Sequence, residues 1–171
     1  MKRLIATAAV LIMVPAWAAT QDAEHPYRGQ GYLVVGFGTG TGFSYNHPFF
    51  KQVGGGGEGF LSKGLGFGAE LTYVNWGGYD NQAWVASSDF SYHLRRRAAC
   101  GVDPFVLGGA SLVVPTHKGG GRGSVAPNFG GGASFWLSQR AALRLEFRDI
   151  AGSSFWTYDH YLSFRVGLTL R

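Results

Sequence analysis

One cysteine in 171 residues rules out a fold stapled by its own disulfides, and six prolines leave few forced breaks in the chain. No stretch of about 18 consecutive apolar residues occurs, which excludes a transmembrane helix. Charged residues make up only 15% of the chain, and the formal net charge is +5, too small an excess to argue for a nucleic-acid partner. Helical periodicity is also missing. The five histidines, His25, His47, His93, His117 and His160, are dispersed, with no second ligand at metal-binding spacing. Cys100 follows Arg95, Arg96 and Arg97, but no histidine or carboxylate adjoins it to make a thiolate nucleophile.

What is abundant is glycine, 28 residues, and aromatic side chains, 15%. With strict two-residue alternation these indicate an all-β protein with close backbone approaches. The clearest alternation ends the chain. Leu162, Phe164, Val166, Leu168 and Leu170 share one face, opposite Ser163, Arg165, Gly167, Thr169 and Arg171. Upstream, Leu143, Leu145 and Phe147 interleave with Arg144, Glu146 and Arg148.

The N-terminus carries the three zones of an export signal: Lys2 and Arg3, the apolar run 4–14, and the small-x-small site Ala16-Trp17-Ala18. Residues 1–18 are therefore expected to be cleaved, leaving 19–171 as one domain and removing two positive charges. Eight strands are expected, at about 31–38, 51–61, 65–74, 84–93, 105–114 and 128–137 and in the two alternating segments above. The facing of the fifth is not assigned by pattern, and the glycine run 54–57 hides that of the second. Short links at 62–64 and 138–141 alternate with longer ones at 39–50, 75–83, 115–125 and 151–158, and the turn 95–104 is long for its place. Ten residues rising about 3.3 Å each and tilted about 45° span roughly 23 Å, close to the apolar band of an outer-membrane barrel.

Aromatic residues gather where such a band would end. Tyr73, Trp76, Tyr79, Trp84, Trp156, Tyr158 and Tyr161 are expected at the interface beside the long loops, and Phe60, Phe67, Phe90, Tyr92, Phe105 and Phe135 nearer the short turns. Alternation assigns Glu70, Asp89, Arg144, Glu146, Arg148 and Arg165 to the interior. Glu70 is expected to meet Arg144 or Arg148 across the axis, with Gly66, Gly68, Gly130 and Gly132 making room for the arginines.

The segments 104–110 (Pro-Phe-Val-Leu-Gly-Gly-Ala) and 145–149 (Leu-Glu-Phe-Arg-Asp), with the last strand 161–171, resemble the small outer-membrane β-barrels of the OmpA/OmpX-like, porin-family superfamily. The resemblance implies an eight-stranded antiparallel up-and-down transmembrane barrel in the Gram-negative outer membrane. It would be monomeric, seated among outer-membrane lipid and lipopolysaccharide, and inserted by the outer-membrane assembly machinery. It also implies a final aromatic residue, where this chain has Leu170 and Arg171, and it implies neither a cofactor nor a metal. The role expected is structural, adhesive or weakly permeative, with the lumen largely filled by charged side chains.

Two alternatives are a barrel enzyme that modifies lipid A and a secreted soluble barrel that binds a small apolar ligand. For catalysis the residues to weigh are His160 with Ser163 and Asp159, and His93 with Ser91. The first His–Ser pair is three apart and so points to opposite faces of a strand; the second shares a face. The run Gly36-Phe37-Gly38-Thr39-Gly40-Thr41-Gly42 lacks the lysine of a phosphate loop, and no helix follows it. Neither pattern makes a site, and the chain is expected not to be an enzyme.

Overall fold

The computed structural model describes residues 29–41, 49–62, 64–77, 82–94, 101–116, 123–151 and 160–171. Eight strands follow one another: β1 (Gly29–Thr41), β2 (Phe49–Ser62), β3 (Leu65–Asn75), β4 (Gln82–His93), β5 (Gly101–Pro115), β6 (Ser124–Trp136), β7 (Ala141–Ala151) and β8 (His160–Leu170). Each pairs antiparallel with its sequence neighbour, and β1 also pairs with β8, so the sheet closes and no edge remains. The strands are longer than the alternation alone indicates, because glycine- and polar-rich ends such as Gly29 to Gly31 carry the ladder without carrying a pattern.

The wall is inverted relative to a water-soluble barrel. Leu33, Val35, Phe37, Leu71, Phe90, Val106, Phe129, Phe147, Phe164 and Leu168 project outward and are exposed. Glu70, Asp89, Arg144, Glu146, Arg148 and Arg165 are buried inside. An apolar outer surface surrounding a polar interior is stable in hydrocarbon, where a closed barrel also satisfies every backbone polar group. This is a transmembrane β-barrel. A soluble barrel needs the opposite arrangement.

β5 takes a definite facing, with Asp103, Phe105, Leu107, Ser111 and Val113 inward and Val102, Val106 and Val114 outward. Its pattern is ambiguous in sequence because both faces are apolar. The expected turn at 95–104 shortens, since β5 already begins at Gly101. Pro104 lies beyond the last β4 partner, Phe105 opposite His93, so its missing N–H interrupts no bond between those two strands. The same holds for Pro127, which precedes the first β6–β7 pair, Asn128 with Ile150.

Connections at one rim are the β2–β3 turn, the 94–100 link and the 137–140 turn. At the opposite rim they are 42–48, 76–81, 116–123 and 152–159. Gly64 has φ 90° and accepts the His93 amide at 2.8 Å, which closes the tightest of them. The 94–100 link does not follow the short-turn rule.

The inward glycines expected to make room for arginines serve other neighbours. A Cβ at Gly66 would strike the Glu58 carboxylate and the Ser91 hydroxyl, and one at Gly132 would strike the Leu145 carbonyl oxygen and sit 2.9 Å from the Glu146 Cα. Strong curvature in a narrow barrel drives inward Cβ atoms toward the next strand, and glycine relieves it. Gly132→Val is therefore expected to lower stability by about 1–3 kcal/mol in urea titrations of vesicle-reconstituted protein, because the obstruction is backbone. An unchanged midpoint would mean that β6 and β7 separate readily.

Candidate functional site

The lumen is layered, and its central layer is an ion network. Alternate positions of β7 aim Arg144, Glu146 and Arg148 inward, and Arg165 of β8 lies in register with Glu146. Glu146 Oε2 accepts from Arg144 Nε at 2.8 Å and lies 2.7 Å from its Nη2. Its Oε1 accepts from Arg148 Nε at 3.0 Å and Arg165 Nη1 at 2.9 Å. One carboxylate thus meets three guanidinium groups.

Across the lumen, Glu70 Oε1 lies 2.6 Å from Arg165 Nη2 and 3.6 Å from Arg148 Nη1, and accepts from Thr72 Oγ1 at 2.7 Å. Asp89 Oδ2 lies 3.1 Å from Arg148 Nη1. Glu70 therefore reaches Arg148, one of the two arginines expected, but its shortest contact is to Arg165. Arg144 instead lies over the rings of Phe105 at 4.0 Å and Tyr32 at 4.5 Å. The network contains three cations and three carboxylates, each almost fully buried, so charge balances locally as burial demands.

Beneath it, toward the short-turn rim, lies a cluster that joins His93 and Ser91 to Glu58 and Asp103, two carboxylates that alternation does not place. His93 stands between two carboxylates, Nδ1 at 2.9 Å from Asp103 and Nε2 at 3.1 Å from Glu58. Gln30 donates to Glu58 at 2.9 Å, and the Ser91 hydroxyl donates to Glu58 as well. The His93 ring stacks on Phe105 and meets Phe60 edge-on. The glycine run hides the facing of Glu58 in sequence, and Pro104 masks that Asp103 already belongs to β5. The available signal was Glu58 two positions before Phe60, in step with it on one face. At the very end Arg171 covers the Trp136 ring at 3.5 Å.

Toward the long-loop rim the interior becomes apolar, with Phe50, Val74, Ala83, Val85, Val113 and Tyr161 forming one cluster, against which Trp76 and Ile150 pack. Four expected aromatic positions, Tyr161, Phe60, Phe105 and Trp76, are corrected here. Tyr161, expected at the membrane interface, faces the lumen, because it shares parity with Ser163 and Arg165. Phe60 and Phe105 are likewise inside, packed on His93. Trp76 caps the interior, 5.7 Å from Phe50 and 6.0 Å from Tyr161 between ring centres. Tyr73 and Trp84 do project outward and pack on each other at 5.2 Å, as the outward Phe67 and Phe90 do at 5.1 Å. Tyr79, Trp156 and Tyr158 lie outside the described residues.

Neither His–Ser pair weighed above forms a nucleophile with its base among the described residues. Ser91 and His93 share a face, yet the hydroxyl is turned to Glu58 and both imidazole nitrogens are engaged by carboxylates. His160 lies on the outer wall, held by Asp149 at 2.8 Å, while Ser163 faces inward and donates to the Arg148 carbonyl. Asp159 is outside the described residues. Among the described residues no three His, Cys, Asp or Glu side chains are placed to hold a metal ion.

No protein-family model and no curated protein sequence matches the chain. Solved structures do. The N-terminal β-barrel domain of Pseudomonas aeruginosa OprF superposes with a TM-score of 0.59 at 16% identity, covering 84% of this chain and 98% of that one. Neisserial surface protein A gives 0.67 at 11% identity over 83% and 95%. Ail, the attachment invasion locus protein of Yersinia pestis, gives 0.57 at 11% over 84% and 99%. At such identities the likeness is one of fold, and by fold this chain is a small eight-stranded barrel of the outer-membrane type.

Proposed function

We propose that the protein is a monomeric, integral outer-membrane barrel with a closed lumen, serving as a structural or adhesive scaffold that holds its four long connections at the cell surface. The observation that carries this reading is the interior itself. Arg144, Arg148 and Arg165 are tied to Glu70, Asp89 and Glu146 across the lumen, with the His93 cluster beneath and an aromatic group above. An eight-stranded barrel has just enough interior for side chains, so a lumen occupied in this way leaves no continuous water path. The fold shared with a Yersinia attachment protein and a Neisserial surface protein agrees with action at the exterior rim.

On this reading, lipid and lipopolysaccharide surround the apolar wall, and His117, Lys118 and Arg122 of the 116–123 connection meet lipopolysaccharide phosphates. The assembly machinery inserts the chain after export, and no catalytic step is involved. The test is single-channel recording in planar bilayers beside adhesion of cells that display the protein. Wild type is expected to give no sustained current, and adhesion is expected to fall when Lys118 and Arg122 are replaced by Ser. A steady current in wild type would make permeation the function instead, and adhesion unchanged by the double replacement would remove the role given to that loop.

A further inference from the structure

The cluster at the short-turn end of the lumen is built across five strands. Gln30 of β1, Glu58 of β2, Ser91 and His93 of β4 and Asp103 of β5 meet there. β3 lies between and contributes Gly66, where a Cβ would strike both the Glu58 carboxylate and the Ser91 hydroxyl. A glycine at that place lets a β2 carboxylate pass over β3 to the imidazole that ends β4. Glu58, His93 and Asp103 are 7%, 3% and 2% exposed, so bulk water screens their charges little.

The two contacts of the imidazole require two hydrogens. An ionised carboxylate only accepts, so Nδ1 at 2.9 Å from Asp103 and Nε2 at 3.1 Å from Glu58 each need a proton, and a neutral ring carries one. With one alone, a nitrogen lone pair would face a carboxylate oxygen. Both oxygens of Glu58 already accept, one from the Ser91 hydroxyl and the other from the Gln30 amide. The second proton therefore sits on the ring, a stronger base than Asp103.

The surrounding charges favour the same state. β2 and β5 present Glu58 and Asp103, and β7 presents Arg144, whose guanidinium lies on the same Phe105 ring as His93 and reaches Glu58 at longer range. Arg144 is already paired with Glu146. The remaining neighbours, Gln30, Phe60 and Ser91, carry no charge. Two carboxylates in direct contact outweigh one guanidinium engaged elsewhere, and loss of the proton would leave both against an uncharged ring in a buried site.

We propose that Glu58, His93 and Asp103 form a binding site for one proton, held in the folded barrel and released to solvent on unfolding, which couples the stability of the barrel to pH. The unfolded chain gives that proton up near pH 6.5, as an ordinary histidine does, whereas the folded triad keeps it. Its contribution is fully present below about pH 6.5 and is lost as pH rises, until the folded triad releases the proton as well. While only the folded state holds it, the unfolding constant rises about tenfold per pH unit.

The test is urea unfolding of the full barrel in lipid vesicles from about pH 6 to about pH 9, in wild type and in His93→Gln, which has nothing to titrate at that position. The wild-type unfolding constant is expected to climb about tenfold per unit more steeply than that of the variant. In nanodiscs at about pH 8, where an ordinary histidine is neutral, ¹⁵N-histidine spectra are expected to show both His93 nitrogens protonated, and His93→Gln assigns the signals by their loss. Heat-modifiable migration reports folding. Should His93→Gln fail to fold, Asp103→Asn takes its place, since its amide oxygen still accepts from Nδ1 without the charge, and a shallower slope than wild type is expected. Parallel stability curves in wild type and variant would overturn the proposal, as would a single protonated nitrogen on His93.

Discussion

Glu146→Ala is expected to destabilise the barrel by about 3–5 kcal/mol, the largest loss of any single lumen substitution, because it strands buried cations. Among the described residues, Arg144 makes its close ion pair with Glu146 and would keep the rings of Phe105 and Tyr32 and a longer-range attraction to Glu58. Glu70→Ala is expected to cost less. Arg165 would retain Glu146, and Arg148 would retain both Glu146 and Asp89. Urea unfolding of each variant in lipid vesicles measures the order. Adding Arg144→Met to Glu146→Leu should recover part of the loss, since the pair would then be replaced by apolar groups, and the coupling should fall within about 0.5–3 kcal/mol. Equal losses at Glu70 and Glu146, with strict additivity in the pair, would show that water screens the whole network.

Phe164→Arg is expected to cost about 2–4 kcal/mol, whereas Phe49→Arg should cost about 0–1. Phe164 lies at the middle of β8 on the outer wall, against Phe37, and an arginine there would stand in the hydrocarbon midplane. Phe49 begins β2 at the long-loop rim and is more exposed, at 76%. There a guanidinium reaches the interface. Refolding yield into bilayers, followed by heat-modifiable migration, compares the two. Equal penalties would mean that the membrane band does not run across the strand centres. Arginine at Ser163, opposite in facing, is no neutral control, because that side chain is buried in a filled interior and bonded to the Arg148 carbonyl.

Strand number, direction of alternation and the inward set Glu70, Asp89, Arg144, Glu146, Arg148 and Arg165 were legible in the chain, because a two-residue period with charges on one face admits only one sidedness in hydrocarbon. Where side chains were absent or both faces were apolar, the pattern was silent. Glu58 sits beside four glycines and Asp103 before a proline, so the cluster around His93 emerges only when closure of the barrel brings β2, β4 and β5 to one level of the lumen. Aromatic type misled at Tyr161, Phe60, Phe105 and Trp76. A ring suits the membrane interface and the lumen equally, and strand parity places it.

Partner choice within the lumen belongs to the tertiary structure alone. Alternation states that a charge points inward but carries no information about how far the strands tilt and stagger. Those quantities set which level of β3 faces which level of β7 and β8, and so gave Glu70 to Arg165 and Arg148 while Arg144 went to Glu146. The chain by itself determined which residues leave the lipid, through a period counted along one strand. Closure of the barrel decided what they meet, because contact across an axis depends on the geometry of all eight strands together.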